Sequence, residues 1–451
     1  MNKELSLKLK SRHMIMIAIG SAIGTGLFFG MGKSLALAGP SIILSYLIGG
    51  IIMYIVVRAL GEMTVHEPSS GSFSYYAYRY FNSYAGFIAG WNYWFNYIIV
   101  CMLELSATSI FLDKWFYLPH WITALCALVI FTLINLCTVK LFGEFEFWFA
   151  GIKVVVIIAL IILGIFLITS SHETHSSISN LWKDNGFFAK GFTGFLFSFI
   201  IVIFSFGGTE LVCIASGEAK NPQTSIPKAI NGIIARILIF YVLTIAIIIC
   251  LYPWNQINAA MSPFVDVFTK VGITKAANFM NLIAITASLS SLNSGIYGTA
   301  RMLFNLSTQG NAPIVFSKLS KNGSPRNAII FSILCIFITV ILDYFFEKQI
   351  FIILLSIATG AAIINWLIIL ITHIRFRSKV CNDEIIYKMP FYPLLSIIAI
   401  IFFILAIVIM MKMDDMRTAI YVIPVWLALL SIMYMIHKKI MYLSKDGILN
   451  K

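Results

Sequence analysis

Charge is what this chain has least of: only 11% of its 451 residues are Asp, Glu, Lys or Arg, against roughly 25% in soluble domains. With 60% hydrophobic residues and a mean hydropathy of +0.91, the scarcity excludes a soluble or disordered chain. It leaves an integral membrane protein whose first partner is the lipid bilayer. Cysteine pairs are missing too. Cys101, Cys126, Cys137, Cys213, Cys250 and Cys335 lie in apolar stretches, Cys381 lies in a loop, and none has metal or disulfide spacing. No HExxH pair, GxSxG elbow or GxxxxGK[ST] loop occurs, which removes the familiar hydrolase and ATP-binding signatures. The expectation is therefore no enzyme, no cofactor and no metal. Acidic residues are outnumbered 19 to 32, giving +13, but the bases are scattered over short loops instead of forming one patch, so no nucleic acid is expected.

What is present is a series of apolar runs, each close to the roughly 20 residues a membrane helix needs. Twelve are expected, at about 14–36, 40–60, 84–112, 120–139, 147–169, 192–217, 230–251, 276–308, 327–344, 350–374, 391–411 and 418–437. Residues 1–13 carry four bases but lead into a long first run with no short apolar core or small-residue cleavage site, so an anchor helix is expected and not a removed signal. With the N-terminus inside, Lys and Arg divide 21 to 9 between inner and outer segments, which places both termini in the cytoplasm.

Two runs carry breaks. In Ile19 to Phe28, Gly20, Gly24 and Gly26 each lower helix propensity by about 1 kcal/mol relative to Ala. Freed backbone at bilayer depth is tolerated only where it lines a cavity or meets a ligand. A helix restarting there offers bare amide N–H groups and roughly half a positive charge, a site for a carboxylate. In Phe204 to Glu210, adjacent Gly207 and Gly208 stand beside Thr209 and an acid, and freed carbonyls at Phe204, Ser205 and Gly207 suit an ammonium. The broken runs are the first and sixth, so they cross in opposite directions, as in an inverted repeat with a midplane site. A zwitterion, an α-amino acid, matches both ends.

Further polar residues interrupt apolar faces. Glu104 stands in the third run and Lys153 in the fifth; the lysine either snorkels to the interface or meets a partner inside the bundle. Carbonyls near Ala22 and Ile23 and hydroxyls such as Ser290 or Ser291 suit its three donors. The cluster Trp91, Tyr93, Trp94 and Tyr97 reads either as an interfacial belt or as packing around a cavity. Ser288, Ser290, Ser291, Asn293 and Ser294 read as close helix packing or as cavity lining. A charged Glu210 at bilayer depth costs roughly 2.5 to 3.5 kcal/mol on insertion scales, so this acid is expected to bind and release protons during a cycle.

Taken together, Ile19 to Phe29, Ala38-Gly39-Pro40, Arg58 to Met63, Gly90 to Trp94, Phe142 to Phe149, Gly217-Glu218-Ala219-Lys220-Asn221-Pro222 and Tyr252-Pro253-Trp254 resemble the bacterial amino acid transporter family of the amino acid, polyamine and organocation superfamily. The match runs from about Arg12 into the tenth run. The resemblance implies an all-α, leucine-transporter-like fold of twelve transmembrane helices. Its ten-helix core spans 14–374, as a five-plus-five inverted repeat of about 14–169 and 192–374. A loop at 375–390, two peripheral helices over 391–437 and a tail at 438–451 follow. It implies proton-coupled amino acid uptake in the bacterial plasma membrane. By position, Ser21, Ile23, Gly24, Thr25, Gly26, Glu104, Phe204, Ser205, Gly207 and Ser291 would bind substrate. Phe204 would gate the site, Glu210 would respond to protons, and Lys153 would stand as a fixed cation where sodium-coupled relatives of the fold hold sodium. Glu218 matches an acid at the inner end of the sixth helix, which would place it with Lys153, Phe204 and Glu210 in proton coupling and gating, and it also reads as the end of a solvated loop.

A small neutral amino acid is the expected substrate. Phe204-Ser205-Phe206 with Thr209-Glu210 also resembles a lysine permease, which keeps a cationic substrate open. Exchange in place of uptake stays open as well, as does a nutrient receptor built on a transporter fold. A channel would need a continuous polar path instead of polar residues clustered at one depth.

Overall fold

The computed structural model describes Met14, Met16 and residues 23–69, 71–136, 139–170, 176–258, 262–320, 323–346 and 350–445. Ser21, Ala22 and the basic N-terminal segment fall outside the described residues. In hydrocarbon every backbone polar group must be satisfied within its own segment, and among the described residues the regular elements are all helical. Eight helices there are long and apolar enough to cross a membrane, and three shorter apolar ones accompany them.

The principal helices are α1 (Met31–Ala38), entered through the wider turn Gly26–Gly30; α2 (Ile42–His66); α3 (Ser83–Leu112); α4 (His120–Leu136); α5 (Val139–Thr169); and α6 (Gly191–Phe204). After a short helix at Leu211–Ile214 come α7 (Pro222–Leu251), α8 (Thr274–Thr308), α9 (Arg326–Phe346), α10 (Ile350–Lys379), α11 (Leu394–Met410) and α12 (Arg417–Lys445). Between α1 and α2 the chain reverses at Gly39, whose φ of +62° suits only a residue without a β-carbon; that carbon would also press on Ala189 at 3.0 Å.

Burial sorts the helices. The apolar window of α3 is 78% buried, while that of α12 is 17% buried, so α3 lies at the centre of the bundle and α12 at its rim, its Leu and Ile side chains turned outward. α3 packs against α8 on one side and α10 on the other, and α1 and α2 pack on α6. Hydrogen bonds fix the α3–α10 contact: Asn92 Nδ2 donates to Ala361 O (3.0 Å) and Asn365 Oδ1 (2.8 Å), and Asn96 Nδ2 to Ala358 O (2.7 Å). Interhelical amides of this kind hold apolar helices in one register. Trp91, Tyr93, Trp94 and Tyr97 are all buried, and the indoles of Trp91 and Trp94 donate to Asn311 O and Ser332 Oγ. The cluster is thus interior packing and not an interfacial belt. Beyond α10, the connection to α11 straps back over α2, where Arg58 Nη2 donates to Lys388 O and Tyr387 Oη to Asn231 Oδ1.

Candidate functional site

The second break is built as its glycines suggest. α6 ends at Phe204, residues 205–210 form tight turns, and the helix resumes at Leu211. The turns close through Gly207 N–H to Phe204 O (3.0 Å) and Leu211 N–H to Gly208 O (3.0 Å), and Gly208 has a φ of +99°, a conformation costly for any residue with a β-carbon. At the first break Ile23 and Gly24 are bent, and the helix begins immediately after them, with Leu27 N–H reaching Gly24 O at 3.2 Å. The first amides of a helix lack partners within it, and Gly24 and Gly26 at this start line a cavity inside the bundle.

The two breaks touch. A β-carbon on Gly26 would lie 2.5 Å from Ser205 Cα, and one on Gly24 would lie 2.5 Å from Ser291 Oγ and 3.0 Å from Glu104 Oε1. Around this contact is a cavity lined by Gly24, Gly26, Glu104, Phe204, Ser205, Gly207, Glu210 and Ser291, all named from the sequence. Asn96, Tyr97, Val100, Gly208, Leu211, Ser294, Ala358, Ala362 and Trp366 complete it. None of these nine was assigned a site role from the sequence, though Gly208 stood in the second break and Tyr97 and Ser294 in clusters read as possible lining; for the rest, nothing in a run of apolar residues says which face a neighbouring helix covers. The cavity volume is about 40 Å³, and a single water takes about 10–15 Å³ on that scale, so the site has room for a small solute.

Several expected residues are used differently from one another. Ser205 is held on its far side by two tyrosines: Tyr241 Oη donates to Ser205 O (3.0 Å), and Tyr46 Oη shares a hydrogen bond with Ser205 Oγ (3.1 Å). That carbonyl keeps a second lone pair for a ligand. Thr25 does not line the cavity; its hydroxyl donates to Glu104 Oε1 at 3.0 Å. Tyr97 Oη donates to Glu210 Oε1 at 3.3 Å. Glu218 lies apart from the cavity, in a buried ion pair with Arg301 Nε at 2.9 Å, so its solvated-loop reading does not hold.

Lys153 is fully buried. Its Nζ donates to Ile23 O at the first break (2.9 Å) and to Ser290 Oγ on α8 (3.0 Å), and Ser290 Oγ in turn donates to Glu146 Oε1 (2.9 Å). One ammonium thereby joins α5, the bent start of the first helix and α8. Glu146 went unassigned in the sequence, although a signal was there: it lies seven residues before Lys153, which puts both on one helix face.

Residues 13–445 match the family described as amino acid permease. The chain is 44% identical over 441 residues to the aromatic amino acid transport protein AroP of Escherichia coli O6:H1, covering 97% of each chain. It is 43% identical to the amino-acid permease AapA of Bacillus subtilis, over 97% of this chain and 96% of that one, and 42% identical to an uncharacterized amino acid permease, YtnA, of the same organism.

Proposed function

We propose, for a chain that belongs to the amino acid permease family, that it takes up a small neutral amino acid together with protons across the bacterial plasma membrane. The family is one of transporters and not enzymes, and the chain is a multi-pass membrane protein whose substrate is an amino acid. Within the proposal the chain crosses twelve times with both termini in the cytoplasm. Its core is two inverted repeats, about 14–169 and 192–374, and α11 and α12 are peripheral.

The observation that carries this reading is the contact of Gly26 with Ser205 inside the cavity. It sets a helix start, which favours an anion, beside the turn carbonyls at 204–207, whose remaining lone pairs favour a cation. A zwitterion spans both. Its side chain then meets Val100, Leu211, Ala358 and Ala362, an apolar wall with no acid of its own, and the limited volume favours alanine, serine or glycine. Phe204 closes over the bound molecule, and Lys153 supplies a fixed positive charge beside the first break. A competition panel of the twenty amino acids and D-alanine and D-serine against labelled alanine tests the assignment. Small neutral competitors are expected to inhibit uptake most strongly. A second reading, an aromatic substrate, draws on the AroP relatives and on Tyr97, Phe204 and Trp366 in the wall. Inhibition by phenylalanine and tryptophan but not by alanine would select it.

Glu210 borders the second break and lines the cavity, and in this proposal it carries a proton through the turnover step. Protons as co-substrates make uptake fall as external pH rises. In Glu210→Gln the maximal rate, measured at saturating amino acid, is expected to lose that dependence. A pH profile of maximal rate equal to the wild type's would leave Glu210 a structural residue.

A further inference from the structure

Glu104 occupies the place that the substrate carboxylate is proposed to take. It sits on α3 with 3% of its surface exposed, accepts the Thr25 hydroxyl at 3.0 Å, and lies 3.0 Å from the position of a β-carbon on Gly24. Its carboxylate therefore rests against the first residues of a helix that runs on through Gly26–Gly30 into α1. It also lines the cavity. The buried Ser291 hydroxyl and the Thr25 backbone both face the same Glu104 carboxyl. A helix start flanked by two hydroxyls is a site built for an anion, and in this structure the protein's own carboxyl group fills it.

We infer that Glu104 is an internal competitor of the substrate, and that this competition couples one proton to one amino acid at the binding step. The inference rests on the reading that the substrate carboxylate binds at Gly24 to Gly26. Two carboxylates repel each other at one helix end, so the amino acid enters when a proton from solution is bound to a Glu104 oxygen. The neutral acid gives up the helix start, the substrate carboxylate takes it, and Ser291 Oγ is free to donate to the newcomer. The charge balances simply. The empty site holds the Glu104 anion; the loaded site holds a neutral Glu104 and a zwitterion, more positive by one proton. On release the proton leaves, and Glu104 returns to Thr25. An empty carrier thus resets with its anion site filled from within and not bare.

The ionisable groups around Glu104 are few. Lys153 faces it from α5 with Glu146 acting on the lysine, Glu210 lines the same cavity at the second break, Cys101 and Tyr97 precede it on α3, and Asp343 on α9 pairs with Ser106. From α8 it meets the Ser291 hydroxyl, and α10 presents only Ala358, Ala362 and Trp366 to the cavity. Of the two cavity carboxylates, Glu104 is the one placed against the helix start.

Equilibrium binding of labelled L-alanine to the full-length protein in lipid nanodiscs, with no gradient present, tests this between pH 5 and 8. In the wild type the dissociation constant should rise by up to about tenfold per pH unit once Glu104 is ionised. In Glu104→Gln, which keeps the shape and an acceptor for Thr25, it should be flat. A second measurement needs no variant: alanine added to the wild type in weak buffer should take up about one proton per molecule bound. A flat wild-type profile, no proton uptake, or a Glu104→Gln profile as steep as the wild type's overturns the competition. Absence of saturable alanine binding at every pH overturns the substrate reading as well, so the two failures are distinct.

Discussion

Valine in place of Gly26 should abolish amino acid uptake while leaving the protein inserted in the membrane. A β-carbon there would fall 2.5 Å from Ser205 Cα and 3.0 Å from its Cβ. The first of these is backbone, which cannot rotate away as a side-chain tip can. Ser205 is itself anchored through its carbonyl by Tyr241 and through its hydroxyl by Tyr46, and those tyrosines stack at 5.4 Å. Relief must therefore come from separating the two breaks, which opens the cavity and moves the helix start away from the turn carbonyls. Overpacking costs about 1–3 kcal/mol, too little to unfold a bundle of this size, whereas a shift of about 1 Å in a binding constellation costs about 100-fold. Gly24→Val should act similarly through Ser291 and Glu104, though its neighbours are side-chain atoms with some freedom. Uptake by Gly26→Val within about tenfold of the wild type's, at equal surface expression, would mean that the breaks are not the substrate site.

Lys153→Ala is expected to remove concentrative uptake, again with the protein present at the membrane. The ammonium satisfies Ile23 O and Ser290 Oγ, and through Ser290 it reaches Glu146. Alanine leaves a buried carbonyl and a buried carboxylate without their cation. Removing one member of a buried charge pair costs about 3–5 kcal/mol, and the segment released is the bent start of the first helix. Lys153→Arg keeps the charge, but its planar fork is wider than an ammonium, so partial loss is expected. Lys153→Ala with wild-type accumulation would assign the lysine to packing alone. Counterflow exchange separates two effects: a variant that still exchanges labelled for unlabelled alanine has lost coupling and kept its binding site.

Both breaks were legible in the sequence because glycine clusters conflict with an apolar run, and that conflict is local. Lys153 was legible for the same reason: a lone ammonium amid Ile and Val demands partners, and its charge restricted them to carbonyls and hydroxyls. The contact between Gly26 and Ser205 was not legible, since it joins residues far apart in the chain and depends on how α1 and α6 cross. The tyrosines behind Ser205 were hidden for a different reason. Tyr46 and Tyr241 look like ordinary members of apolar helices, and only the packed structure shows their hydroxyls turned to one residue. Arg301 could have been suspected on the same grounds as Lys153, as a charge inside a long helix; its partner Glu218 was noticed, as a proton-coupling acid or the end of a loop, but not as half of a buried ion pair. The cavity wall from α3 and α10 was unreadable because Val100, Ala358 and Ala362 carry no chemistry that marks one face of a helix over another.

The most direct test of proton-coupled uptake through this site is transport of labelled alanine into proteoliposomes holding the wild-type protein, with choline replacing all sodium. An inwardly directed proton gradient should then drive accumulation above equilibrium, and a protonophore should collapse it, because the fixed charge of Lys153 leaves no need for a metal ion. Accumulation that stops when sodium is withdrawn, or that survives the protonophore, would contradict the account.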